Sequence, residues 1–215
     1  MSARQTVVDS IERAGIVAVI RMKEPEKLRA VVDAIGAGGI RALEITMTVP
    51  GAVELIRQLA PTLSAEFVLG AGTVLDAETA SRVIDAGAQF VVSPVFRRAV
   101  IDACHAADVA AMPGCFTPTE ILDAWDAGAD VVKVFPATSL GPAFFKDIRG
   151  PLPHVKMMPT GGVTLDNAGD WIRAGAVAVG IGTALLDAAA VAAGDFRTLR
   201  ANAERVVANI KSARN

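Results

Sequence analysis

Eight short apolar runs, rich in β-branched residues, recur along the chain at a spacing of about 25 residues, and segments with helical periodicity fill the intervals. The runs are GIVAVIR from Gly15, IRALEIT from Ile40, FVLGAGT from Phe67, FVVSP from Phe90, VAAMPG from Val109, VVKVFP from Val131, VKMMPTGG from Val155 and AVAVGIG from Ala176. Between them lie stretches such as EPEKLRAVVDAIGAGG, DAETASRVIDAGA and TPTEILDAWDAGA, each with a polar face and a closing Gly suited to end a helix. Strand and helix therefore alternate throughout. Parallel strands need such crossovers, and eight units predict a closed (βα)8 TIM barrel, which leaves no sheet edge, preceded by a short N-terminal helix in MSARQTVVDSIERAG. The alternative is an open doubly wound sheet. That fold usually holds nucleotides on a Gly-rich first turn, yet the first turn here reads IRMKEPEK, and GAGTVL does not complete GxGxxG.

Ala-Gly-Gly at residue 37 and Ala-Gly-Ala at residues 86, 127 and 174 precede the second, fourth, sixth and eighth runs, so turn chemistry repeats with every second unit. No linker or shift of composition interrupts this rhythm, and residues 1–215 are expected to form one domain. Gly, Pro or a charge breaks every apolar stretch before the ~18 residues of a membrane span, and the charged N-terminus is unlike a signal peptide. A cytoplasmic protein is expected. A net charge of -2, with no run of Lys or Arg, argues against nucleic acid as a partner. Cys104 and Cys115 lack metal-ligand spacing, His105 lies in a helical stretch and His154 at the start of the seventh run, so neither metal nor cofactor is expected.

The run VVKVFP sets a Lys where a buried strand is expected. An ammonium group moved into apolar surroundings is costly enough that it tends to lose its proton. Side chains alternate along a strand, so outward Val132 and Val134 leave Lys133 facing the barrel axis, and outward Leu43 and Ile45 leave Glu44 there too. An ungapped alignment of the Ala-Gly repeats puts these two residues one position out of phase, so the parity requires their strands to begin one residue apart. Barrel enzymes place their chemistry at the C-terminal ends of strands. Arg21, Thr73, Ser93, Pro94 and Thr160 gather at that rim. After the seventh and eighth runs, PTGGV and GIGTALL offer Gly161, Gly162, Gly182 and Thr183 as a phosphate site, with helix starts expected at Thr164 or Asp166 and beside Thr183. Each residue also has a structural reading: Lys133 and Glu44 as a buried ion pair, the threonines as backbone-bonded hydroxyls, the loops as tight turns. A desolvated Lys instead forms Schiff bases with carbonyl substrates, and an iminium at C2 of a 4-hydroxy-2-keto acid permits cleavage between C3 and C4.

Together, EIT with VP after the second strand, GAGTVLD, SPVF, PGCFTPTE, VKVFPA, PTGGV and VGIGTAL resemble the class I 2-keto-3-deoxy-6-phosphogluconate (KDPG) aldolases, which also act on 4-hydroxy-2-oxoglutarate (KHG). The resemblance runs over nearly the whole chain. It implies that Lys133 forms the Schiff base, that Glu44 is the acid/base residue, working partly through water, and that Thr73 contacts the pyruvyl carboxylate. It further implies that Pro94 and Phe135 line the pocket, that Thr160 biases stereochemistry at C4, and that Gly161, Gly162 and Thr183 lie near a phosphate in a homotrimer. Some members carry an Arg where this chain has Thr48, so Arg21 is expected to take over carboxylate binding from the first strand. Some relatives have Ser one position after Thr183, where Ala184 stands here. Preference between the phosphorylated sugar acid and hydroxyoxoglutarate therefore stays open, and so does a galactonate-derived epimer as the substrate. Two other readings also stay open: a phosphosugar isomerase or thiamine-phosphate-synthase-like barrel without imine chemistry, and a noncatalytic trimeric scaffold.

Overall fold

The strand starts of the sheet are covered first in chain order, by a helix whose apolar face lies across them. In the computed structural model, which describes residues 2–215, α1 (Ala3–Ala14) begins at Ser2, whose Oγ accepts the Gln5 N–H, and lays Val7, Val8 and Ile11 into the interior. The succession continues β1 (Ile16–Ile20), α2 (Leu28–Ala37), β2 (Ala42–Thr46), α3 (Ala52–Leu59), β3 (Val68–Gly72), α4 (Ala77–Asp85), β4 (Phe90–Val92), α5 (Arg98–Ala106) and β5 (Ala110–Met112). Then come β6 (Gly114–Cys115), α6 (Pro118–Asp126), β7 (Val132–Val134), α7 (Gly141–Arg149), β8 (Met157–Pro159), α8 (Ala168–Arg173), β9 (Val179–Ile181), α9 (Ala188–Ala193) and α10 (Phe196–Arg214).

All strand pairings are parallel, and the sheet is curled. Nine strands among the described residues form two ladders, a six-stranded one in the order β5-β4-β3-β2-β1-β9 and a three-stranded one in the order β6-β7-β8, instead of the single eight-stranded ladder expected. The fifth apolar run is thus two strands rather than one. Pro113 has no N–H to give to a ladder, so pairing changes there: Met112 O accepts from Ser93 on one side, and Pro113 O accepts from Lys133 N on the other. At the opposite seam Val177 N donates to Met157 O, and an isolated bridge joins Thr160 to Gly180.

Two apolar layers follow from strand alternation. Val17, Ala42, Val68, Phe90, Val131 and Ala178 point inside, where α1 meets them, while Leu43, Ile45, Val132, Val134 and Ile181 point out to the helices. The helix ends set this phase. Gly39, Gly87, Gly128 and Gly175 all hold left-handed φ angles of 97° to 107°, which a side chain would strain. Gly39 therefore corresponds to Gly87, and Gly38 to Ala86. Counted from the left-handed Gly, Glu44 and Lys133 each stand five residues on, so the apparent offset between them disappears. The mismatch arose from aligning Ala37 with Ala86 instead of aligning the residues that need the unusual backbone.

Candidate active site

Glu44 shares the inner face of β2 with Ala42 and is 1% exposed, and neither carboxylate oxygen has a hydrogen-bond partner among the described residues. Room for it comes from β3. A Cβ on Gly72 would collide with the Glu44 carboxylate, which gives the GAGT segment a steric purpose unrelated to nucleotides. Lys133 shares the inner face of β7 with Val131, is 5% exposed, and holds its Nζ 4.9 Å from the centroid of the Phe135 ring. Gly114 is its register partner on β6.

Burial raises the Glu44 pKa above the usual carboxylate value, opposed by the charges of Lys133 and Arg21. Burial lowers the Lys133 pKa; the Glu44 charge opposes this shift and the Arg21 charge adds to it. Desolvation thus moves both groups toward their neutral forms, while each favours the charged form of the other. Arg21, exposed just past β1, is near enough to act on both.

The other rim residues stand at or just past the C-terminal ends of their strands. Thr73 follows β3 with φ at 61°, a left-handed conformation that costs a β-branched residue roughly 1–3 kcal/mol. Ser93 is buried and Pro94 half-buried, and Pro94 packs so closely on Gly114 that a side chain there would strike its backbone. Thr160 is buried, its Oγ1 without a partner among the described residues, its N–H given to Val134 O at 3.0 Å and its carbonyl accepting from Ala137 N at 2.9 Å. A Cβ on Gly180 would strike that hydroxyl. Thr46 and Thr48 pair through their hydroxyls at 2.7 Å, and Thr46 also donates to Ile20 O.

Gly161 and Gly162 are both left-handed and pack on Thr138, while Gly182 follows β9 beside Val19 O and Thr183 is exposed. Neither expected helix start falls where the residue types alone put it. Thr164 and Asn167 exchange backbone and side-chain bonds, which delays α8 until Ala168. Leu185 and Leu186 both give their N–H groups to Gly182 O, and α9 begins at Ala188 under an Asp187 cap. The amides nearest Thr183 therefore belong to a turn and not to a helix end. His105 pairs with Asp130 at 3.1 Å, and His154 stands edge-on to Trp125. Cys104 and Cys115 are buried free thiols whose pKa burial pushes up to about 12.

The family described as KDPG and KHG aldolase matches residues 7–201. The chain belongs to that family. It is an aldolase, a carbon–carbon lyase of the Schiff-base class. A 2-dehydro-3-deoxy-phosphogluconate aldolase of Treponema pallidum is 35% identical, over 94% of this chain and 96% of that one. A probable 2-dehydro-3-deoxy-6-phosphogalactonate aldolase of Rhizobium meliloti is 36% identical, over 85% and 86%. The crystal structure of a KDPG aldolase from Legionella pneumophila, with pyruvate captured as a covalent carbinolamine intermediate, superposes on this aldolase with a TM-score of 0.86 at 28% identity, over 93% and 97%. The steric roles of Gly72 and Gly180 escaped the sequence reading. Each lies in a motif shared with the family, yet the side chain it makes way for belongs to a segment distant in sequence, Glu44 on β2 and Thr160 just past β8.

Proposed function

We propose that this aldolase cleaves KDPG to pyruvate and glyceraldehyde 3-phosphate through an imine at Lys133, and KHG to pyruvate and glyoxylate by the same route. The neutral amine attacks the C2 carbonyl, and the carbinolamine loses water to give an iminium. Glu44, directly or through water, takes the proton of the C4 hydroxyl. The electrons of the C3–C4 bond then flow into the iminium, the aldehyde leaves, and Glu44 returns a proton to C3 of the enamine. Hydrolysis releases pyruvate and restores the amine. The observation that carries this reading is the pair of interior, desolvated groups, Lys133 and Glu44, of which Glu44 lacks any hydrogen-bond partner among the described residues.

Arg21 and Thr73 hold the keto-acid carboxylate, Pro94 and Phe135 line the pocket, and Thr160 selects the configuration at C4 with its unpartnered hydroxyl. Gly161, Gly162, Gly182 and Thr183 take the phosphate. The chemistry needs neither cofactor nor metal. In the same reading, residues 1–215 form a single domain whose strands close into a (βα)8 barrel, supported by the continuity of β5 and β6 through Pro113 and by the Thr160–Gly180 bridge. The working form is a cytoplasmic homotrimer.

The galactonate epimer is the second reading, supported by the Rhizobium meliloti relative, which is 36% identical to this chain. Steady-state pyruvate release from KDPG, its galactonate epimer and KHG tests both. The highest kcat/KM is expected for KDPG; preference for the epimer would shift the assignment, and turnover of none would overturn it.

A further inference from the structure

Two asparagines interrupt the apolar stripe of α10. Leu199, Ala203, Val206 and Ile210 are buried along this helix, which packs across α2 and α8, and Asn202 and Asn209 stand two turns apart on nearly the same line. Asn is a weak helix former because its amide competes for backbone bonds, so a pair on a packing face calls for partners.

Asn209 uses both ends of its amide. Its Nδ2 donates to Asp166 O at 3.0 Å, and its Oδ1 accepts the Gly169 N–H at 2.6 Å. Asn167, between those two residues, donates through Nδ2 to Gly162 O at 3.0 Å and accepts the Thr164 N–H at 2.7 Å. Asn209 is thus linked to Gly162 through one short, fully bonded turn. Gly169 lets α10 come this close, since a Cβ there would stand 3.0 Å from Asn209 O and Oδ1. Arg205 also grips the Asp166 carboxylate with two bonds, but that pair is exposed and contributes little. At the other end, Asn202 Nδ2 donates to Leu185 O at 3.2 Å, and Leu185 gives its own N–H to Gly182 O at 2.9 Å. One rigid helix therefore ties the loop after β8 to the loop after β9.

We propose that Asn202 and Asn209 are positioning residues that fix the spacing of these two loops and thereby set how strongly phosphorylated substrates are preferred. This rests on the phosphate role given above to Gly161, Gly162, Gly182 and Thr183. A phosphate held by two separate loops needs their amides at a set separation, and each lost tie lets one loop relax. Residues that served only to dock α10 would affect all substrates alike.

The test compares Asn202→Ala and Asn209→Ala with the unaltered protein on KDPG and KHG, alongside calorimetric binding of inorganic phosphate. KHG ends in a carboxylate at C5 and carries no phosphate. Each variant is expected to lose about fivefold in kcat/KM for KDPG, through KM, and a similar factor in phosphate affinity, with KHG kinetics unchanged. Equal losses on both substrates, or no loss on either, would overturn the brace. Unaltered protein that cleaves neither substrate would sink the proposed function, and phosphate calorimetry would then decide the brace alone: weaker binding in the variants supports it, while unchanged or absent binding refutes it. Should Asn209→Ala fail to fold, Asn202→Ala, which removes only the bond to Leu185 O, decides the brace by the same readouts.

Discussion

At the scale of single residues, the behaviour of the site follows from the opposing signs acting on Lys133. Burial and the Arg21 charge lower its pKa, whereas the Glu44 charge raises it. A protonated amine has no lone pair, so the rate of trapping pyruvate on Lys133 rises with pH, with a midpoint below the ordinary lysine value of 10.5. Glu44→Gln removes the charge that holds this pKa up. The trapping midpoint of that variant is expected to move lower still, while kcat for cleavage falls by about 10²- to 10⁴-fold; an upward shift would contradict the coupling. Arg21→Ala acts in the reverse sense, because it removes a positive charge that opposes protonation. Its midpoint should rise, and KM for every 2-keto acid tested should rise about tenfold with loss of a charge-assisted contact. An unchanged KM would place Arg21 outside the substrate site.

At the scale of elements, α1 closes the interior from the side opposite the chemistry, and Ile11 is its most deeply buried side chain. Ile11→Ala should lower stability by about 3 kcal/mol in urea denaturation while leaving KM for KDPG unchanged, since the cavity forms at the strand starts. Much of the fold was legible because periodicity is a local property: the apolar runs mark the strand positions, and the parity of Val132 and Val134 already turns Lys133 inward. The alignment offset was an error of frame, which the left-handed backbone of Gly39 corrects. Other features depend on contacts between segments distant in sequence. The clearance Gly72 gives Glu44 is set by a side chain that no window around Gly72 contains, whereas the late starts of α8 and α9 come from local bonds, Thr164 with Asn167 and Leu185 and Leu186 with Gly182, that compete with the helix at positions residue type alone does not rank. Pro113 shows the intermediate case. A Pro within an apolar run warns of a break, but not that the two halves pair with β4 and β7.

At the scale of the whole molecule, Leu75, Val95 and Phe116 are exposed apolar side chains that follow β3, β4 and β6, and Leu122 adds a fourth on α6. In the proposed homotrimer, neighbouring copies would cover these side chains. Sedimentation equilibrium should return three chains per particle, and Phe116→Glu should shift the particle toward the single chain; a monomer at all concentrations would contradict the assembly. Among the described residues no helix is long and apolar enough to cross a membrane. The central claim is that the interior amine of Lys133 captures a 2-keto acid, and the most direct measurement is borohydride reduction in the presence of pyruvate followed by mass spectrometry of the peptides. The expected result is one reduced pyruvyl adduct per chain, on Lys133, absent without pyruvate and absent from Lys133→Met. An unmodified Lys133, or an adduct on another lysine that persists in Lys133→Met, would contradict it.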